Sequence, residues 1–436
     1  MTRALLRAAC ALAVSSALVA QAPRQVPAAP PVPDQSVDPL HQKGENVTIS
    51  LLTMGSGTKL WELFGHNAIL IHDNVTERDT VFNWGVFSFR QSNFLLRFLK
   101  GDMWYAMGGD SLQWIGIAYR YLNRTVYSQE LDLTATEKDS VLKQIRWYAQ
   151  PENVNYKYDY YLDNCSTRVR DIVDNALHGQ LRAQANDLTG TTYRWHTLRL
   201  MQDNLPLVVG VHIGLGRPAD RNLTKWQEMF LPRKLHDFAG SLVIRDATGA
   251  TRKLVKREQV LFQATRAPEH EAPPTLWPLL LGVGLVAGGL FACLGVKAPR
   301  TAAVAFGVWS FVIGILGLLV TLLWTVTNHN FAHQNENLLL FNPLWLILGV
   351  PLVISTWSGR ESLWARRLAI TVAALSVIAL LAHAVRLSAQ DNLALIGLTL
   401  PPSLAIAWVV LRQRKAVAAA TAPTASFARR SATAIR

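Results

Sequence analysis

Cysteine is scarce in this chain, with three in 436 residues. Cys10 falls in an N-terminal apolar leader and Cys293 in a later apolar span, so only Cys165 can sit in a soluble fold. A domain with one thiol has no internal disulfide partner, which excludes a disulfide framework. Metal-site signatures are missing as well. There is no Cys-x-x-Cys and no His-Glu-x-x-His, so a metal centre has little support. No internal repeat is visible. Basic residues are absent from 327–340, and 386–392 holds only Arg386.

What is present divides the chain. Residues 1–22 carry Arg3 and Arg7, then the apolar run Ala8–Ala20, the layout of a secretory signal or an N-terminal anchor. Residues 23–44 are rich in Pro, Ala and Gln and read as a disordered linker. Residues 45–270 mix polar and apolar positions as a soluble domain does. Beyond 275 the character changes. Apolar stretches at about 277–296, 302–326, 341–357, 368–385 and 393–411 approach the ~20 residues a helix needs to cross a bilayer. The region 275–412 is therefore expected to be an all-α bundle of about five transmembrane helices. Pro401 and Pro402 predict a kink in the last.

The formal charge of +13 is largely a topology signal. Lys297 and Arg300, then Arg360, Arg366 and Arg367, then the basic tail 413–436 fall on one side of the membrane. The loops poor in basic residues fall on the other. The positive-inside rule puts the tail in the cytoplasm and the soluble domain outside, as the leader also does. The basic balance is thus no sign of a nucleic-acid partner.

Within the soluble domain, Val47–Met54 and Asn67–His72 read as strands, although His72 itself, before Asp73-Asn74, reads as loop. Thr80–Trp84 and Val86–Phe89 read as a third strand broken by Gly85, and Thr125–Leu131 as another. Thr136–Ala149 reads as a helix behind a capping box of Thr134 and Glu137. A second helix starts at Cys165 and runs to about His178, with Asp163 or Asn164 as its N-cap. The fold class is α+β, a small antiparallel sheet with helices packed on it. Lys100–Gly109 is aromatic and glycine-rich, either an apolar groove for a lipid chain built with Trp104 and Tyr105 or a packed loop of tight turns.

The cap carries the chemistry. It places Cys165 in a first helical turn, where free N–H groups and the dipole are expected to lower a thiol pKa. The same N–H groups suit a developing oxyanion, with Asn164 and Ser166 as oxyanion or cap residues. A nucleophilic thiol needs a base, and His66 heads the second strand, with Gly65 leaving room beside it. Asn83, on the next strand, is placed to orient the imidazole. Each residue alone has a plainer reading: a core cysteine, a surface histidine, a turn asparagine. Together they point to covalent catalysis.

The strand His-Asn-Ala-Ile-Leu-Ile from His66, then Asn83-Trp-Gly, then Asp163-Asn-Cys-Ser-Thr-Arg resembles circularly permuted papain-like (NlpC-type) domains, in which the His strand precedes the Cys helix. Lecithin:retinol acyltransferase and its relatives share that order. Over about residues 45–355 the chain is similar to the Lnb family of bacterial lipoprotein N-acyltransferases, which join such an exported domain to membrane helices. The loop 327–340, followed by Asn342-Pro-Leu, is part of the likeness. Asn83 stands where some permuted relatives have a second histidine.

The resemblance implies that Cys165 takes an acyl chain from a membrane phospholipid as a thioester. His66 would serve as acid and base. The acceptor would be the α-amine of a diacylated lipoprotein's N-terminal cysteine. No cofactor, metal or nucleotide is implied. The implied location is a bacterial inner membrane, with the catalytic domain on the periplasmic side. Arg168, His329, His333, Asn335 and Asn337 join the candidates for substrate binding. By the charge argument the loop 327–340 lies on the thiol's side, where it closes the site, binds a head group or is a solvated connector. Two rival readings use the same residues: a membrane-anchored cysteine peptidase or amidase acting on peptidoglycan, and a non-enzymatic membrane assembly factor.

Overall fold

A computed structural model describes residues 39–421 apart from 88–92, 247, 359, 361 and 386. The expected leader, the linker up to residue 38, the strand end at 88–89 and the tail beyond 421 lie outside the described residues.

Alternating apolar side chains give strands that bury both faces. The strands are β1 Val47–Met54, β2 His66–Asp73, β3 Arg78–Val86, β4 Trp104–Ser111, β5 Val126–Leu131, β6 Asn155–Lys157, β7 Val243–Arg245, β8 Thr251–Lys253 and β9 Val255–Phe262. Seven form one antiparallel sheet in the order β6-β4-β3-β2-β1-β5-β9, while β7 and β8 pair separately. The helices of this part that matter below are α1 Phe94–Lys100, α2 Leu112–Tyr121, α3 Ala135–Tyr148, α4 Cys165–Ala176, α5 Tyr193–Met201, α6 Leu205–Gly214 and α7 Pro232–Ser241. Ile49, Leu51, Ile69, Ile71, Phe82 and Trp84 form one core with residues of α3 and α4. Leu52, Met54, Ala68, Leu70 and Val81 pack with Ile115 of α2 on the other face. The capping box at α3 forms in both directions, from Thr134 and from Glu137.

Several expectations change. β3 runs on through Gly85, although its register with β4 shifts between Asn83 and Val86. His72 lies inside β2 and pairs with Asp79. The segment from Trp104 is a strand and not a loop, because β3 and β6 pair with it from both sides. Its glycine pair, Gly108 and Gly109, sits opposite Asn83 and Phe82 inside the ladder, where a turn was the natural reading. The linker ends sooner than residue 44: Pro39–His41 forms a short 3-10 turn and buries Leu40 in the main core.

The second part holds α8 Trp277–Lys297, α9 Pro299–Thr325, α10 Leu344–Ser358, α11 Leu363–Ala384 and α12 Leu393–Thr421. Five helical stretches among the described residues are long and apolar enough to cross a membrane. α12 continues through Pro401 and Pro402. Proline frees carbonyls one turn earlier, and α8 comes very close there. A Cβ on Gly284 would stand 2.1 Å from the Gly397 oxygen, so glycine is required for this contact.

The two parts are fastened by a polar clamp. α6 is too short to span a membrane, and Val208 and Ile213 are buried in the core of the membrane helices. Its last carbonyls have no helical partner. Asn335 Nδ2 donates to the Ile213 and Gly214 oxygens at 2.9 and 3.0 Å. Asn337 Nδ2 donates to those of His212 and Ile213 at 3.1 and 3.0 Å. From the soluble side, fully buried Arg194 donates to the His212 and Leu215 oxygens and pairs with Asp220 at 2.8 Å. The loop 327–340 is therefore a folded joint and not a solvated connector, with Asn335 and Asn337 buried in it.

Replacing both Asn335 and Asn337 with Ala would strand buried carbonyls, at about 1–3 kcal/mol each. The apparent Tm of the full chain in detergent should fall by several degrees. A Tm equal to wild type would show that the clamp contributes little.

Candidate active site

α4 begins where the sequence places it, and its cap is Asn164. The Asn164 Oδ1 accepts from the N–H of Ser166 and of Thr167 at 2.9 and 3.0 Å. Its Nδ2 donates to the Tyr160 and Phe230 oxygens. The Ser166 hydroxyl donates to the Met229 oxygen at 2.7 Å. Both side chains are thus committed to holding the helix start, leaving the backbone to face the thiol.

The sulfur of Cys165 meets that backbone. The N–H groups of Asn67, Ser166 and Cys165 itself lie near enough to the sulfur to favour its thiolate, that of Ser166 while it donates to the Asn164 Oδ1. Two of these donors come from the α4 start. The third comes from β2, whose pairing with β3 begins at Ala68↔Asn83, one residue beyond Asn67. The two strands part at this end, and the Asn67 N–H goes to the thiol. The thiol therefore lies against the residue that follows His66.

His66 is held from the neighbouring strand. Asn83 hydrogen-bonds its imidazole through the side chain, and the Asn83 Oδ1 also accepts from the Gly85 N–H at 3.1 Å. The room for the ring is supplied by Gly85 and not by Gly65. A Cβ on Gly85 would stand 2.6 Å from His66 Cε1. Gly65 has φ +81°, and its would-be Cβ meets the Met54 oxygen at 2.9 Å, so it serves the chain turn into β2.

The electrostatics reverse one expectation. Burial pushes the Cys165 thiol above its ordinary pKa, and the three N–H groups and the Arg124 charge only partly oppose it. Burial, aided by Arg124, holds His66 down at about 4, against the hydrogen bond its ring makes to Asn83. At neutral pH the resting pair is therefore thiol and neutral imidazole, and not thiolate and imidazolium. A helix N-terminus was expected to ionise the cysteine, but desolvation outweighs it here. Such a pair can still act, with the imidazole taking the proton as sulfur attacks.

The other candidates fall into two groups. Tyr105 stands near the site and stacks on Tyr158 at 4.1 Å, and burial, with any charge on Cys165, pushes its hydroxyl up. Trp104, beside it on β4, is 40 % exposed. Arg168 is occupied: it grips Asp163 with two hydrogen bonds of 2.6 and 2.7 Å and lies 3.8 Å from the Tyr156 ring centroid. His329 and His333 bind the Phe98 and Thr327 oxygens, each at 3.1 Å, and Asn335 and Asn337 belong to the clamp. Each of these five side chains thus has a hydrogen-bond partner within the protein. Sequence reasoning passed over Gly85 as a strand breaker and gave Arg124 no role. A glycine opposite a strand-head histidine is the signal that could have found the first.

This geometry makes three predictions. Alkylation of Cys165 by iodoacetamide at pH 7 should be no faster than that of free cysteine, with a midpoint above the ordinary thiol value of about 8.5. Thiolate-like speed at pH 7 would refute the resting state described here. The same His66 makes stability fall with acid. Between pH of about 6.5 and 4 the unfolded chain binds the proton that folded His66 refuses, so Tm should drop through that window. Gly85→Ala should push the imidazole aside. Acylation of Cys165 by p-nitrophenyl acetate should slow by about tenfold or more, with Tm near wild type; an unchanged rate would show that the ring has other room.

Family models match both parts of the chain. That of the Lnb N-terminal periplasmic domain matches residues 41–204, and that of the Lnb transmembrane domain matches residues 271–414. No curated protein and no solved structure matches. The matches follow each other in the order of the two folded parts, span most of the described residues, and make the chain a member of the Lnb family, a multi-pass membrane protein with a periplasmic domain.

Proposed function

We propose that the protein is a lipoprotein N-acyltransferase of a bacterial inner membrane, using a papain-like Cys165–His66 centre oriented by Asn83. The observation that carries this reading is the site's junction with the membrane part. Leu63 and Phe64, just before His66, pack on the core of the membrane helices. Tyr160 and Tyr161, just before Cys165, make ring contacts with Phe331 of the loop after α9, at 6.1 and 4.6 Å. Both reacting groups thus emerge from segments seated on the membrane bundle.

The surface nearby is apolar. Leu60 and Trp61, and Leu96, Phe98 and Leu99 of α1, are each about half exposed. α1 is tied to the end of α9, since the Asn328 N–H donates to the Lys100 oxygen at 2.7 Å and His329 binds the Phe98 oxygen. An exposed apolar patch at that level suits a lipid surface. A peptidoglycan amidase needs no such seat, which favours the acyltransferase.

In the proposed reaction His66 takes the thiol proton as sulfur attacks an ester carbonyl of a phospholipid. The Cys165 and Asn67 N–H groups beside the sulfur would receive the oxyanion, that of Ser166 being held by Asn164. The tetrahedral intermediate expels the lysophospholipid oxygen, which receives that proton from His66, and a thioester remains. The α-amine of a diacylated lipoprotein then attacks the thioester and gives its proton to His66. The amide forms, and the proton returns to the departing sulfur. Phospholipid and amine become lysophospholipid and amide, and the enzyme is unchanged. The wall of Tyr105 and Tyr158 lines the acyl chain's path.

Intact-mass analysis of the full chain incubated with phospholipid tests this directly. Wild type should gain one acyl mass, removable by hydroxylamine, and Cys165→Ser should gain none of that kind. Cleavage of peptidoglycan fragments without an adduct would move the reading to the amidase. Neither signal would favour an assembly factor.

A further inference from the structure

Arg124 is 4 % exposed, yet its guanidinium is only partly used. Nε donates to the Gly55 oxygen at 2.8 Å, and the cation stands 4.8 Å from the Tyr119 ring centroid. Nη2 is buried with no hydrogen-bond partner, and Arg124 forms no ion pair among the described residues. Glu62, a buried carboxylate of the preceding loop, is taken by Lys59 at 3.4 Å. A buried cation is costly unless an anion or a full set of acceptors meets it.

Strand register fixes where this cation stands. Met54 pairs with His66 on one side and with Val126 on the other. Gly55 follows Met54, and Arg124 comes two residues before Val126. The guanidinium is therefore pinned to the end of β1, one strand from His66. Its charge is felt by both His66 and Cys165.

We infer that Arg124 forms an anion subsite beside the thiol, and that its ligand is the phosphodiester of the acyl-donor phospholipid. The guanidinium fork matches phosphate oxygens in geometry and charge. In a glycerophospholipid the phosphate lies a few bonds from the ester carbonyls. A carbonyl at Cys165 therefore leaves the phosphate in reach of a cation one strand from His66. The ligand's charge would also relieve the uncompensated one in the protein. This subsite deepens the proposed function and rests on it for the identity of the ligand.

The test is equilibrium binding by the full chain in neutral-detergent micelles. One ligand is an ether-linked glycerophospholipid, which cannot acylate the thiol; the other is the matching neutral dialkylglycerol. Wild type should prefer the phosphate-bearing lipid by about tenfold or more, and Arg124→Gln should lose most of that preference. Equal binding of the two lipids by wild type, or an undiminished preference in the variant, overturns the proposal. If Arg124→Gln does not fold, Arg124→Lys keeps the charge without the fork and should weaken the preference; a wild-type preference there overturns the forked contact. Inorganic phosphate separates the sources of the anion. Saturable phosphate binding without any lipid preference assigns the site to a small free anion and also overturns the proposal. A lipid preference lost in the variant, in protein that never forms a thioester, supports the subsite and counts only against the acyltransfer reading.

Discussion

A helix start and a sheet end must share one small space for this site to exist. The α4 N-terminus brings two N–H groups to the Cys165 sulfur, and the parting of β2 from β3 brings a third from Asn67. Neither source alone surrounds the sulfur. The other features of the site follow from that meeting. Asn164 and Ser166 spend their side chains keeping the helix start in place. Asn83 can reach His66 because β3 is still adjacent where pairing stops. Gly85 is small because the imidazole occupies the space above it. The same crowding removes water, and the loss of water keeps both reacting groups neutral.

The membrane part enters this arrangement through backbone carbonyls. Asn335, Asn337 and Arg194 all draw on the last turn of α6, from opposite sides of the joint. Asparagine amides and a buried arginine are directional, and each would be left unsatisfied by a shift of the two parts. A purely apolar joint would tolerate sliding. This one fixes the position of the site relative to the membrane helices, which matters if the substrates arrive laterally.

Much of this was legible in the sequence where the signal is local. Thr134 with Glu137, Asn164 before Cys165, and the alternation in Val47–Met54 each determine structure within a few residues. The five apolar stretches were legible because a bilayer imposes a length. Non-local effects were not. Gly108 and Gly109 lie in a strand only because β3 and β6 flank them. The thiol's raised pKa depends on side chains far apart in sequence, so a rule about helix starts gave the wrong sign. Arg168 grips Asp163 and stacks on Tyr156, and the second of these partners is brought to it only by the fold. Arg124 gave no signal at all, since nothing in Asn-Arg-Thr marks a buried charge.

The neutral resting state of Cys165 also bears on how long the protein survives. Peroxides attack thiolates far faster than thiols, and the first product, a sulfenic acid, proceeds to irreversible acids when no second cysteine can resolve it. Among the described residues the other cysteine is Cys293, which lies within α8. A periplasmic domain has no such rescuer of its own. In the proposed reaction, keeping the sulfur protonated until His66 takes its proton would confine its reactivity to the moment of turnover. Desolvation, which slows the bare nucleophile, thereby acts as its antioxidant.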